Sequence, residues 1–253
     1  MSVLESRMRN LNSKDVGEGP VVYLMARDQR VYDNWALLSA QNTALERKVP
    51  LLVVFFLVEK YPSANKDHYD FMLKGLEEVE EEFGKLDIPF IKLSGAARSD
   101  SIIEFATQVK AGAIYCDFSP LRGGRKWRNE LSERSNCAVF EVDAHNIVPT
   151  WVASEKQEYS ARFFRPKVHQ KLNKYLVDFP KIEKHPYKFS MKKGIEQWPQ
   201  LNEQEYYSYI DNILSSGEHS AEKKLKLFIK NGLNRYHIEK NDPNKDVLSG
   251  LSP

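Results

Sequence analysis

The sequence predicts a Rossmann-like, doubly wound α/β domain: a five-stranded parallel sheet in the order 3-2-1-4-5, followed by a linker and a short helical segment. Two observations carry this. Short apolar runs of strand length alternate with longer amphipathic segments from Pro20 to Val142. The intervening segments are joined by short polar loops, and such crossovers between parallel strands are right-handed.

The first strand is Val21–Met25, an apolar run that gives way to the polar Ala26–Asp33. Asn34 then caps a helix carrying Trp35, Leu37, Leu38, Thr43 and Leu45. Leu51–Leu57 is β-branched and aromatic, suited to a strand buried on both faces. His68–Leu86 reads as a long helix, because Phe71, Met72, Gly75, Leu76, Val79 and Phe83 share one face. Its acidic run from Glu77 to Glu82 is a solvated face. Phe90–Leu93 is the third strand, and Asp100 opens a helix bearing Ile102, Ile103 and Phe105. Ala113–Cys116 is the fourth strand, Gly124–Ser135 a helix and Ala138–Val142 the fifth strand. After Asp143 clean strands disappear. Trp198–Ser220 is polar and loop-like, and Ala221–Tyr236 reads as one more helix striped with Leu225, Phe228, Ile229 and Leu233.

The composition excludes several classes. Hydrophobic residues make up 42% and charged residues 28%, and the net charge is only +2, so no global charge draws the chain to nucleic acid. No apolar stretch reaches the ~20 residues needed to span a bilayer, so no membrane role is expected. The N-terminus lacks the apolar core of a signal peptide, which with two reduced, buried thiols at Cys116 and Cys137 suggests a cytoplasmic protein. No metal-ligand spacing occurs.

The fold itself places a ligand crevice at the strand carboxyl ends, near the switch point. That crevice is predicted at Arg27 and Asp28, and at Asp117, Phe118 and Ser119. No glycine-rich dinucleotide fingerprint follows the first strand, and there is no phosphate-binding P-loop. Gly123-Gly124 reads as a turn, and the pair Asp143 and His145 as a loop holder. Trp151–Phe189 sets nine basic residues against four acidic ones, interleaved with aromatics. Two readings stay open for it: a linker wrapping a partner domain, or partial contact with a phosphate backbone and bases.

Particular strings carry a resemblance. Val21-Val-Tyr-Leu-Met-Ala-Arg-Asp-Gln-Arg30 and Asp33-Asn-Trp-Ala-Leu-Leu38 resemble the opening of the class II cyclobutane-pyrimidine-dimer photolyases. So do His68–Leu76, Asp117–Arg122, Val142–Pro149, Lys156–Arg162, Arg165–Lys167 and Asn241–Pro243, in family order. One departure is Thr150, where many relatives carry cysteine. The resemblance implies an N-terminal antenna domain and a helical domain that binds FAD, acting together on UV-damaged DNA with cyclobutane pyrimidine dimers. It assigns flavin contacts to Tyr236, Leu248, Ser249, Gly250, Leu251 and Ser252, and no catalytic residue to this chain. An antenna chromophore such as 8-hydroxy-5-deazaflavin is implied for the α/β domain.

The expected organisation is an N-terminal extension over 1–19, the antenna domain over 20–150, a basic and aromatic linker over 151–220, and the start of the FAD domain over 221–253. Relatives continue well past Pro253, so this chain alone is not expected to repair DNA. Two alternatives are one half of a split photolyase, completed by a separate C-terminal FAD-domain polypeptide, and a non-enzymatic chromophore- or nucleotide-binding α/β module.

Overall fold

The computed structural model describes residues 3–59, 61–94, 98–190 and 215–251. The chain divides into two compact units, Met1–Glu59 with Glu82–Pro199, and Lys60–Glu81 with Gln200–Pro253.

The first unit is built on a sheet of six strands: β1 (Met8–Asn10), β2 (Val21–Met25), β3 (Leu51–Phe56), β4 (Phe90–Leu93), β5 (Ala113–Asp117) and β6 (Ala138–Val142). Its order is β1-β6-β5-β2-β3-β4. The expected count of five is therefore corrected to six. Without β1 the parallel strands run β4-β3-β2-β5-β6, so the five strands expected from the sequence are present and the addition lies at one edge. β1 pairs antiparallel with β6, Met8 opposite Val142 and Asn10 opposite Phe140, within residues expected to be an extension.

β2, β3 and β5 are buried at every position, whereas β4 alternates as an edge strand should. Helices α1 (Trp35–Arg47), α2 (Lys66–Lys85), α3 (Arg98–Gln108) and α4 (Arg122–Arg134) connect the parallel strands. The Asn34 cap is present: its side-chain oxygen accepts from Ala36 and Leu37 N–H, both at 3.1 Å. α2 begins two residues before the expected His68, because the Asn65 side chain accepts the His68 N–H at 3.1 Å and closes the first turn. Likewise α3 begins at Arg98, with Asp100 inside its first turn, and α4 begins at Arg122. One core cluster gathers Leu24, Val54, Phe56, Ile102, Phe105, Cys116 and Val139, with Trp127 packed against it. Both cysteines are free and buried.

Past β6 the linker is more ordered than its composition suggests. It forms α5 (Thr150–Ala153), α6 (Ala161–His169) and α7 (Leu172–Tyr175). Pro166 inside α6 obscures the helical pattern in the sequence. Arg7 ties this linker to the sheet. Its side chain is 1% exposed and donates to the carbonyls of Asp143 (3.3 Å), Asn146 (2.9 Å), Ile147 (2.6 Å) and Tyr175 (3.3 Å). The guanidinium also lies 4.7 Å from the Trp35 ring centroid.

In the second unit the expected helix Ala221–Tyr236 is corrected to two: α8 (Glu218–Asn231) and α9 (Leu233–Glu239). Gly232 divides them, donating its N–H to Phe228 O at 2.8 Å; a Cβ there would lie 2.9 Å from the Phe228 ring. α8 starts three residues early because the Glu78 carboxylate accepts the His219 N–H at 2.8 Å. The stretch 191–214, which contains most of the polar segment from Trp198, lies outside the described residues.

Two measurements test this packing. Arg7→Ala removes the donor to four carbonyls, two of them buried, and is expected to cost about 3 kcal/mol in urea unfolding, with little rescue by Arg7→Lys because one ammonium cannot span four acceptors. His185 is 1% exposed, bonds Val49 O through Nε2 and leaves Nδ1 without a partner; burial lowers its pKa from 6.5. A lowered pKa means the unfolded chain takes up the proton first, so stability is complete above about pH 6.5 and declines as pH falls below it. Thermal unfolding across pH 5–8 should show this slope, and His185→Gln should flatten it.

Candidate functional site

The switch point of the sheet lies between β2 and β5, and one side chain organises it. Asp117, at the end of β5, is 2% exposed. Its Oδ1 accepts the Tyr23 hydroxyl at 2.7 Å. Its Oδ2 accepts the backbone N–H groups of Ala26 (2.9 Å), Arg27 (2.7 Å) and Asp28 (3.2 Å). Tyr23 in turn accepts from the Asn34 amide at 3.0 Å, which links the site to the cap of α1. Burial, with the neighbouring carboxylates, pushes the Tyr23 phenol well above its ordinary pKa, so it stays a donor.

The five residues predicted for the crevice are thus brought together, but they face different ways. Asp28 is buried; its carboxyl is raised above the usual range by desolvation and then by the charge of Asp117. Arg30 at 3.1 Å and His145 at 3.9 Å oppose that rise. Phe118 packs edge-on against Trp151 at 5.6 Å. Arg27 is exposed and Ser119 partly buried, so these two remain accessible for a ligand. Asp117 shapes the loop and has its oxygens engaged within the chain. His145 was legible only as a loop residue, since nothing in its spacing ties it to Asp28.

The loop-holding reading of Asp143 stands. Its carboxylate accepts from Asn146 N (3.1 Å), Thr150 N (2.8 Å) and the Thr150 hydroxyl (3.0 Å). Thr150 therefore closes the turn after β6. An apolar hollow of about 210 Å³ lies at the opposite, amino ends of β5 and β6, lined by Ile103, Ala106, Lys110 and Cys137.

The described residues predicted to touch a flavin all belong to the second unit. Tyr236 is 38% exposed and edge-on to Phe228 at 5.9 Å. Leu248 and Leu251 are exposed, and Gly250 holds φ +60°, a conformation disfavoured for any residue with a Cβ. The Leu251 N–H reaches Ser249 Oγ at 3.4 Å, and Lys224 Nζ donates to Gly250 O at 3.4 Å. Ser252 lies outside the described residues. Lys224 carried no signal in the sequence, being one of several lysines on α8. A serine turn with a left-handed glycine and an adjacent ammonium suits a bound anion such as a diphosphate. Among the described residues no cluster of metal-ligating side chains occurs, and no described helix is long and apolar enough to cross a membrane.

Comparison with known proteins places this architecture. A family model described as DNA photolyase matches residues 21–186. The deoxyribodipyrimidine photo-lyase of Potorous tridactylus is 42% identical over 240 residues, covering 92% of this chain and 44% of its own length. That of Arabidopsis thaliana is 38% identical over 256 residues, covering 93% of this chain and 50% of its own. The chain spans about half the length of the curated relatives it matches. Among solved structures, a bacterial class III photolyase from Agrobacterium tumefaciens superposes with TM-score 0.67 at 19% identity, over 95% of this chain and 51% of that one. A Synechocystis sp. PCC6803 cryptochrome gives 0.67 at 14%, over 86% and 48%. These two likenesses concern the fold alone.

Asp117→Ala removes one charged acceptor from four donors and is expected to destabilise the chain by about 3–5 kcal/mol, against about 1 kcal/mol for Tyr23→Phe. Urea unfolding followed by circular dichroism measures both.

Proposed function

Because the chain belongs to the DNA photolyase family, we propose that it forms the N-terminal, light-collecting portion of a class II deoxyribodipyrimidine photo-lyase. The complete enzyme splits cyclobutane pyrimidine dimers in UV-damaged DNA. The observation carrying this reading is the match over residues 21–186, which takes in the whole parallel sheet and the linker helices. Class II is the finer assignment, supported by the strings quoted above, from Val21 to Pro243.

Two cofactors follow from the reading. FAD, when bound, supplies the light-driven electron chemistry. In this chain Ser249, Gly250, Leu251 and Lys224 would hold its diphosphate, with Leu248 and Tyr236 beside it. Ser252 belongs to the same proposed contact. The donor set supports this: an ammonium, a hydroxyl and a left-handed glycine allow close approach by an anion. An antenna such as 8-hydroxy-5-deazaflavin would lie beside Arg27, Asp28, Phe118 and Ser119, with Asp117 fixing the loop beneath it. The free, buried thiols of Cys116 and Cys137 support a reducing, cytoplasmic setting.

A specific observation favours a docking surface for the rest of the catalytic domain. Leu225, Leu227, Ile229, Leu233 and Ile238 on α8 and α9 are all at least 40% exposed, which suits a covering helical domain. That domain is supplied either by a longer polypeptide or by a separate C-terminal chain.

The test is dimer splitting under blue light with reduced FAD present. The chain alone should leave dimers intact, and co-expression with a polypeptide spanning the remaining length of the relatives should restore splitting. In that assembly Gly250→Ala should weaken FAD retention by about tenfold, since a Cβ at φ +60° costs about 1–2 kcal/mol. Splitting by the chain alone would sink the proposal.

A further inference from the structure

Two arginines at the carboxyl end of the sheet carry N–H groups that nothing among the described residues accepts. Arg98 opens α3 and stacks its guanidinium 4.1 Å from the centroid of Trp127, with Phe56 at 5.9 Å on the same cation. Its Nε is buried and has no hydrogen-bond partner. Burial lowers its pKa to about 10, so it remains a cation at neutral pH. Arg128, on α4, is 2% exposed and lies 6.0 Å from the same indole. Its Nη2 is committed to Ser119 O at 2.8 Å and Glu141 at 2.6 Å, while Nη1 is buried and unpartnered.

Among the described residues no anion balances Arg98. The charges acting on it come from Cys116, Asp117 and Arg128. Burial drives the Cys116 thiol far above its ordinary pKa, so no thiolate forms there. Asp117 already accepts four donors. Arg128 repels. Glu141 is shared by Arg128 and Arg9, the latter at 2.6 Å. A cation drawn out of water without a counter-charge is destabilising, and native proteins supply a partner for it.

Beside this pair the Ser119 hydroxyl is a further donor, packed closely against Gly124. A Cβ placed on Gly124, in the first turn of α4, would lie 3.4 Å from Arg128 Nη1 and 2.6 Å from Ser119 Oγ. The N-cap residue Leu121 provides no side-chain acceptor for that turn. Two guanidinium edges, a hydroxyl and a glycine flank therefore converge around Trp127.

We infer that Arg98 and Arg128, with the Ser119 hydroxyl, form a binding site for an oxyanion, a phosphate or carboxylate group, beside the Trp127 indole. Guanidinium forks match such groups through paired charge-assisted bonds. The site shares Ser119 with the proposed antenna contact, but the unpaired arginine N–H groups need no chromophore at Arg27.

The experiment follows the Arg98 Nε–H resonance and the melting temperature of the full chain, titrated with inorganic phosphate or acetate against chloride at constant ionic strength. Phosphate or acetate should shift the resonance saturably and raise the melting temperature. Arg98→Gln should weaken the binding about tenfold or more, Arg98→Lys should weaken it less, and the exposed control Arg47→Gln should leave it unchanged. A carboxylate preference over phosphate would still support the site and name its ligand class. An unshifted Nε–H resonance in the unmodified chain, or undiminished binding in Arg98→Gln, would overturn the inference; the resonance does so even if the variants fail to fold.

Discussion

The carboxylate of Asp117 is the constraint around which the ligand-facing end of the sheet is arranged. It sits where the crossover direction reverses, and the chain leaving β2 must turn there without a glycine-rich loop. Three consecutive backbone N–H groups, at Ala26, Arg27 and Asp28, converge on one oxygen, and the Tyr23 hydroxyl takes the other. In dinucleotide-binding sheets the equivalent N–H groups face a ligand phosphate. Here an internal carboxylate occupies that role. The loop is therefore ordered without a ligand, and Asp28, placed next to that charge, is held toward its protonated form.

The same device recurs at the next strand. β6 ends at Val142, between Glu141 and Asp143, and both acids have partners within the chain: Glu141 in Arg9 and Arg128, Asp143 in the Asn146–Thr150 turn. Arg7 and Arg9 come from the first ten residues, so the N-terminal segment delivers cations to an end of the sheet that would otherwise concentrate negative charge. Arg9 stands directly across from Glu141 in the β1–β6 register, making the ion pair a cross-strand contact as well. Arg7 continues past the sheet to the linker and binds carbonyls of the turn after β6 and of the last residue of α7.

The difference between what the sequence discloses and what it hides follows from range. β2 and β3 are apolar throughout, and β5 up to Asp117, as strands buried at every position must be, and that is a local property of each run. The position of Asp117 is equally legible, since the fold rule places it at the switch point. Its inward orientation is not, because it depends on Tyr23 and on N–H groups some ninety residues away. β1 has three residues and no alternation of its own; its identity rests entirely on a distant partner. Gly232 is a weak break in an otherwise continuous apolar stripe, and only its approach to the Phe228 ring turns it into a boundary. Arg98 lies before the helix the sequence opens at Asp100 and Arg128 within one striped by other residues, so their packing against Trp127 and Phe56 had no signature in spacing.

The late partner of β1 also sets the timing of assembly. Met8 pairs with Val142, so more than 130 residues separate the two halves of that ladder. At a synthesis rate of about 5–20 residues per second, the N-terminal strand is exposed for on the order of ten seconds before β6 exists. Throughout that interval Arg7 and Arg9 keep the waiting segment soluble and discourage premature strand pairing. Once β6 emerges, Arg9 finds Glu141 and Arg7 reaches the Asp143 carbonyl, and the sheet edge closes last of the six strands.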